Sequence, residues 1–309
     1  MAMRAPTDLP PRHFSLASRR ARWAVGLAAV LLALVVASAH DIASFYTDIL
    51  WFGSVGFSSV WVKRFTAQLG LAASFSAILF ALISLNLWLA ERWAPLPATL
   101  APGDQLVARW QELTYGRAAP VRFTVAALFA LLGGVSTRSQ WQNWELFSNA
   151  QAFSSATAPS QGLDPLNHLN DGFYVFRLPF LDWVTGWAFS ALSLVFLLSL
   201  VAHYLNGGVR PYWPAQRVSP KVKAHLSVLL AALALVQGAR YYLERLSLVL
   251  AHRYVVDGAT YTDVHATRPA LLLLVAISVI AAALFLYNAR QQGWVLPVVA
   301  TALWAFVWI

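Results

Sequence analysis

Three groups of ionisable residues carry the chemistry this sequence could perform, and each lies beside a long apolar run. Asp263 and His265, two apart in YTDVHATRP, have the side-chain types to share a divalent metal or to work as an acid/base pair. The plainer reading is that Thr262, Asp263 or Thr267 caps the helix that follows, its oxygen accepting from free backbone N–H groups. Asp164, His168 and Asp171 in GLDPLNHLNDGF meet only if the segment is helical, and carboxylate oxygens there could hold a cation. Asp-Pro and Asn-Asp-Gly are also turn chemistry for a solvent loop. Arg240 and Glu244, four apart, can pair on one helix face, and with Arg245 they sit near the end of an apolar run. Intramembrane charges mark a gate or binding site by default; an interfacial ion pair beside Tyr241 and Tyr242 is the alternative.

Other chemistries find little support. No G-x-S-x-G, H-E-x-x-H or Walker pattern is present. The absence of cysteine removes disulfides, thiolate metal sites and a cysteine nucleophile. His40, His203, His225 and His252 fall near the ends of apolar runs, as interface anchors or bundle-facing hydrogen bonders. Gly133-Gly134 and Gly207-Gly208 are turn or close-packing signals. No residue is assigned a catalytic role, no metal set is complete and no cofactor is expected, so the reading leans away from an enzyme.

The elements that must position these residues are membrane spans. With 59% hydrophobic and 11% charged residues, the chain departs from soluble composition, and its apolar runs are continuous rather than alternating. The expected fold class is all-α, a polytopic transmembrane helical bundle of about seven spans. These cover about 23–39, 65–90, 118–135, 183–205, 224–242, 269–287 and 294–309, after a polar tail at 1–22. The tail and first run also fit a cleaved signal peptide. Pro269 is expected in the first turn of the sixth span, where proline is tolerated. No internal repeat is evident.

With the amino terminus cytoplasmic, the inner segments hold 13 of the 22 Lys and Arg residues and the outer ones 6. That bias is the one the positive-inside rule requires, and it accounts for the net charge of +9 without nucleic acid. Loops 40–64, 138–182 and 247–268 then face out. The longest, from Trp141 to Trp183, is unusually aromatic. Trp141, Trp144, Phe173, Tyr174, Phe176 and Trp183 are expected to form a platform at the lipid headgroup level, and the acidic middle of that stretch to be a solvent loop.

The segments YTDILWFGSVGFSSVW (46–61), SLNLWLAERWAP (84–95), GFYVFRLPFLDWVTGW (172–187), VAHYLNGGVR (201–210), KAHLSVLLAALALVQGARYYLERLSL (223–248) and GATYTDVHATRPAL (258–271) resemble uncharacterised protein family 0182, collinearly over nearly all of 40–309. SSATAPSQG and NHLND, between Phe153 and Gly172, depart from the family pattern. The resemblance implies a seven-span bacterial inner-membrane protein with a large extracytoplasmic region, this chain being its amino-terminal membrane part. It lends no catalytic residues. The functional expectation is an envelope anchor or scaffold for that region, with the bilayer and that domain or envelope proteins as partners. A transporter or channel component is the alternative, and an outer-face enzyme the weakest.

Overall fold

A computed structural model describes residues 19–93, 105–114, 116–153, 162–209, 218–253, 256–291 and scattered residues between 293 and 302. Most of the expected tail and most of the seventh run, from Trp294, lie outside the described residues. The fold is an all-α bundle. Its helices are α1 (Arg19–Ser54), α2 (Ser58–Arg92), α3 (Gln105–Thr114), α4 (Ala118–Val135), α5 (Trp141–Ser148), α6 (Leu178–Leu205), α7 (Pro220–Ser247) and α8 (Arg268–Gln291). The antiparallel pair β1 (His252–Arg253) and β2 (Val256–Asp257) closes the turn after α7. Among the described residues, six helical stretches are long and apolar enough to cross a membrane: 24–54, 58–92, 118–148, 173–205, 220–250 and 263–291.

The chain divides into two compact units, residues 1–65 and 66–309. In the first, residues 40–64 differ from the loop expected. Helix α1 continues through Ser54, and a short turn leads directly into α2. Gly56 ends α1 at φ +77, a left-handed conformation costly for other residues. Its N–H donates to Gly53 O, and Phe57 N–H donates to Phe52 O, the paired bonds of a Schellman cap. The rings of Phe45, Trp61 and Phe65 pack with centroids 5.3–5.5 Å apart, and Arg64 lies 3.5 Å from Asp48. Phe45 of α1 thus faces Trp61 and Phe65 of α2 across a helical hairpin, while Tyr46, Trp51 and Phe57 stay exposed.

In the second unit, α7 is the most buried helix and packs on both α6 and α8. Ser219 caps it, its hydroxyl accepting from Val222 N–H, with Pro220 in the first turn where its missing N–H costs nothing. Leu79, Ile83, Ala126, Ala130, Val195 and Leu229 form a core shared by α2, α4, α6 and α7. Small residues set the close crossing of α2 and α4: a Cβ on Gly134 would lie 2.6 Å from Ser76 Cα.

Both helices that return from the loop-rich end begin in the same unusual way. Residues Phe173–Arg177 and Asp263–Thr267 are π-helical, and each run is followed by one residue and then proline. Leu178 N–H reaches back five residues to Phe173 O, and Arg268 N–H to Asp263 O. Proline has no N–H to give, and its ring clashes with the carbonyl four residues earlier. The widened turn opens the helix just before Pro179 and Pro269, so both helices can start before their prolines. Pro269 lies in the first turn of α8, as expected, but helical backbone begins earlier, at Tyr261, and runs through the π turn into α8.

Candidate functional site

At the loop-rich end, the Asp263/His265 pair resolves into two separate tasks. Asp263 is fully buried; its Oδ2 accepts from Thr260 N–H at 3.0 Å and from the Thr260 hydroxyl at 2.8 Å. Asp263 N–H donates back to Thr260 Oγ1 at 3.3 Å. This reciprocal pattern is a capping box, with Thr260 as the cap residue. His265 turns away: its ring stacks on Tyr261 at 3.9 Å, with Nδ1 3.0 Å from Tyr261 O. The two side chains do not converge.

Asp164 makes a turn, but not in solvent. It is 2% exposed and accepts from Leu166 N–H, Asn167 N–H and the Tyr174 hydroxyl. Burial pushes its carboxyl up, but these hydrogen bonds outweigh burial and hold it below the ordinary carboxylate value. The turn is pinned to the start of α8 by Arg268, whose guanidinium donates to Leu166 O at 3.1 Å and lies 3.4 Å from Asn167 Oδ1. The acidic middle is therefore a buttress from 162 to 170, not the solvent loop expected. Residues 154–161 lie outside the described residues. His168 takes a positive φ of 58 in this turn, and Asp171 is exposed on the first turn before Phe173. Among the described residues, no three His, Asp or Glu side chains gather as metal ligands would.

The aromatic residues fall into groups, not one platform. Trp144 and Phe147 of α5 meet Phe180, which meets Trp183 at 5.7 Å; Phe75 of α2 then joins Trp183 at 5.1 Å and Trp187 at 4.6 Å. Phe180 is the buried hub. Phe176 packs on Phe153 instead. Tyr174, edge-on to Phe173, joins a core with Leu178, Leu243 and Leu246. Trp141 opens α5.

Arg240 and Glu244 do not pair. The Arg240 guanidinium donates to Gln237 Oε1 at 3.0 Å and lies 5.4 Å from the Phe189 ring centre, a cation–π contact to α6. Arg240, Glu244 and Asp182 all line one groove of about 510 Å³ between α6 and α7.

The opposite end of the bundle holds a buried polar chain that sequence reasoning left unassembled. His203 Nε2 lies 2.9 Å from His225 Nδ1, and His225 Nε2 lies 2.9 Å from Asn86 Oδ1. Asn86 Nδ2 donates to Leu82 O, so its Oδ1 is the acceptor and His225 Nε2 must donate. With both rings neutral, His225 Nδ1 then accepts from His203 Nε2–H. The Asn-Gly-Gly after α6 sets this up. Gly207 at φ +75 and Gly208 make the paired cap bonds to Tyr204 O and His203 O. A Cβ on Gly208 would lie 2.8 Å from Val222 Cγ2. The only signal in the sequence was polar residues interrupting apolar helix faces, which marks burial without naming partners. His252 is exposed and lies 2.8 Å from Asp257.

The profile of an uncharacterised protein family, UPF0182, matches residues 25–309. A UPF0182 protein of Frankia alni is 36% identical over 256 residues, which is 83% of this chain and 24% of that protein. One of Frankia casuarinae is 36% identical over 280 residues, 90% of this chain and 27% of that protein. One of a Nocardioides species is 34% identical over 301 residues, 97% of this chain and 29% of that protein. The chain thus spans less than a third of the length of these curated relatives. No solved structure matches.

Proposed function

We propose, from the premise that this chain belongs to the uncharacterised protein family UPF0182 and is a polytopic membrane protein, that it anchors a large extracytoplasmic region in the bacterial inner membrane. The amino terminus is cytoplasmic in this reading, and the loop-rich end is the floor on which that region sits. The observation that carries it is the buttressing of that floor. Arg268 ties the 162–170 turn to α8, Asp164 ties the turn to Tyr174, and Phe180 ties α5 to the start of α6. A loop needed only to connect two spans requires none of these bonds; a docking floor requires a fixed shape. The length of the relatives supplies the mass to be anchored.

Two experiments on the full-length gene product test this. Because the chain has no cysteine, Tyr261→Cys, at a position 78% exposed, gives a single label site in residues 1–309. A membrane-impermeant maleimide should label it in intact spheroplasts; labelling only after lysis would invert the topology. Phe180→Ala should then open the downstream region to protease while insertion is retained. An unchanged digestion pattern, or a reading frame that stops at Ile309, would remove the anchoring role.

A further inference from the structure

The groove between α6 and α7 near the loop-rich end holds charges that the fold brings together and does not use on one another. Arg240 is fixed from two sides, by Gln237 on its own helix and by the Phe189 ring on the facing one. Glu244 stands one turn further along the same face of α7, and Asp182 comes from α6. Among the described residues, no ion pair or side-chain hydrogen bond engages either carboxylate. Isolated carboxylates in a membrane-spanning element are costly, and an arginine four residues away is the usual remedy. Here the remedy is available and not taken.

We propose that this groove binds the headgroup of an aminophospholipid, a phosphoethanolamine zwitterion. The pre-oriented guanidinium matches a phosphate in charge and fork geometry. The two carboxylates offer acceptors to a primary ammonium, which can donate three hydrogen bonds. The apolar remainder of the wall, Leu178, Leu243 and Leu250, suits the start of an acyl chain, and the volume of about 510 Å³ is in the range of small-molecule sites. A purely anionic headgroup would leave Asp182 and Glu244 unanswered. A choline headgroup would bring positive charge but no N–H donor. The proposal rests on the reading of α6 and α7 as spans and is independent of the anchoring role.

The test is binding to the full-length protein in detergent, by native mass spectrometry, with phosphatidylethanolamine, phosphatidylglycerol and phosphatidylcholine of matched chains, and with soluble glycerophosphoethanolamine. Phosphatidylethanolamine should bind best. Arg240→Gln should weaken it by at least about tenfold, the scale of one charge-assisted hydrogen bond, and Arg240→Lys by less. Asp182→Asn with Glu244→Gln should abolish the preference over phosphatidylcholine. Because neither carboxylate has a side-chain partner among the described residues, that double variant should melt within a few degrees of wild type, so a loss of preference reads on binding rather than on folding. Equal binding of phosphatidylglycerol, or a preference that survives the double variant, would overturn the site. Equally tight binding of glycerophosphoethanolamine would overturn the lipid as its occupant.

Discussion

Replacing Asn86 by leucine isolates the buried polar chain at the end of the bundle opposite the loops. Asn86 is 8% exposed and its Oδ1 is the acceptor for His225 Nε2–H at 2.9 Å. Leucine keeps the branched heavy-atom shape of asparagine, with bulkier methyl groups, and accepts nothing. His225, 4% exposed, keeps its Nδ1 bond from His203 but is left with a buried N–H and no partner. An orphaned buried donor costs about 1–3 kcal/mol, and the added apolar burial of leucine returns only part of this. Thermal unfolding in mild detergent reads the difference. At roughly 2–4 °C per kcal/mol for domains of 150–250 residues, Asn86→Leu should melt about 2–10 °C below wild type. His225→Leu orphans both Asn86 Oδ1 and His203 Nε2–H and should cost at least as much. Substituting Asn86, His203 and His225 together by leucine removes donors and acceptors alike, so the triple variant should lose less than the sum of its parts. A melting temperature for Asn86→Leu equal to wild type, or strictly additive losses along the series, would refute the hydrogen-bonded chain and its assigned tautomers.

Gly134→Ala places a Cβ 2.6 Å from Ser76 Cα and should destabilise by about 1–3 kcal/mol, whereas Gly186→Ala meets nothing within 4 Å and should gain up to about 1 kcal/mol in helix propensity. Opposite signs in the same melting assay check the α2–α4 crossing. Because the Asp164 carboxyl is held below its ordinary value, its stabilisation is fully present above about pH 4 and is lost as pH falls through the lower folded value. Asp164→Asn should be less stable at pH 6, and its melting temperature should fall less steeply in acid. Asp263→Ala should cost about 0.5–2 kcal/mol through the lost capping box, while His265→Ala should leave the melting temperature nearly unchanged. Equal effects of the two would revive a joint site.

The sequence alone determined the class of the fold, because a span requires only a continuous apolar run long enough for the bilayer, and such runs are local facts. It also determined that caps and turns were available: Asn-Gly-Gly after α6, Ser-Pro before α7, and Thr and Asp before α8 all act within a few residues of where they are written. What tertiary structure decided is which polar residues meet. Asn86 and His225 stand 139 positions apart, and Arg268 reaches Leu166 across 102. Asp263 and His265, two apart, point to different neighbours, and Arg240 chose Gln237 and a ring on the facing helix over Glu244. Spacing along a helix fixes which residues share a face. The partner on that face is fixed by helix crossing, and the crossing depends on where small residues let backbones approach and where a π turn before proline opens a helix start.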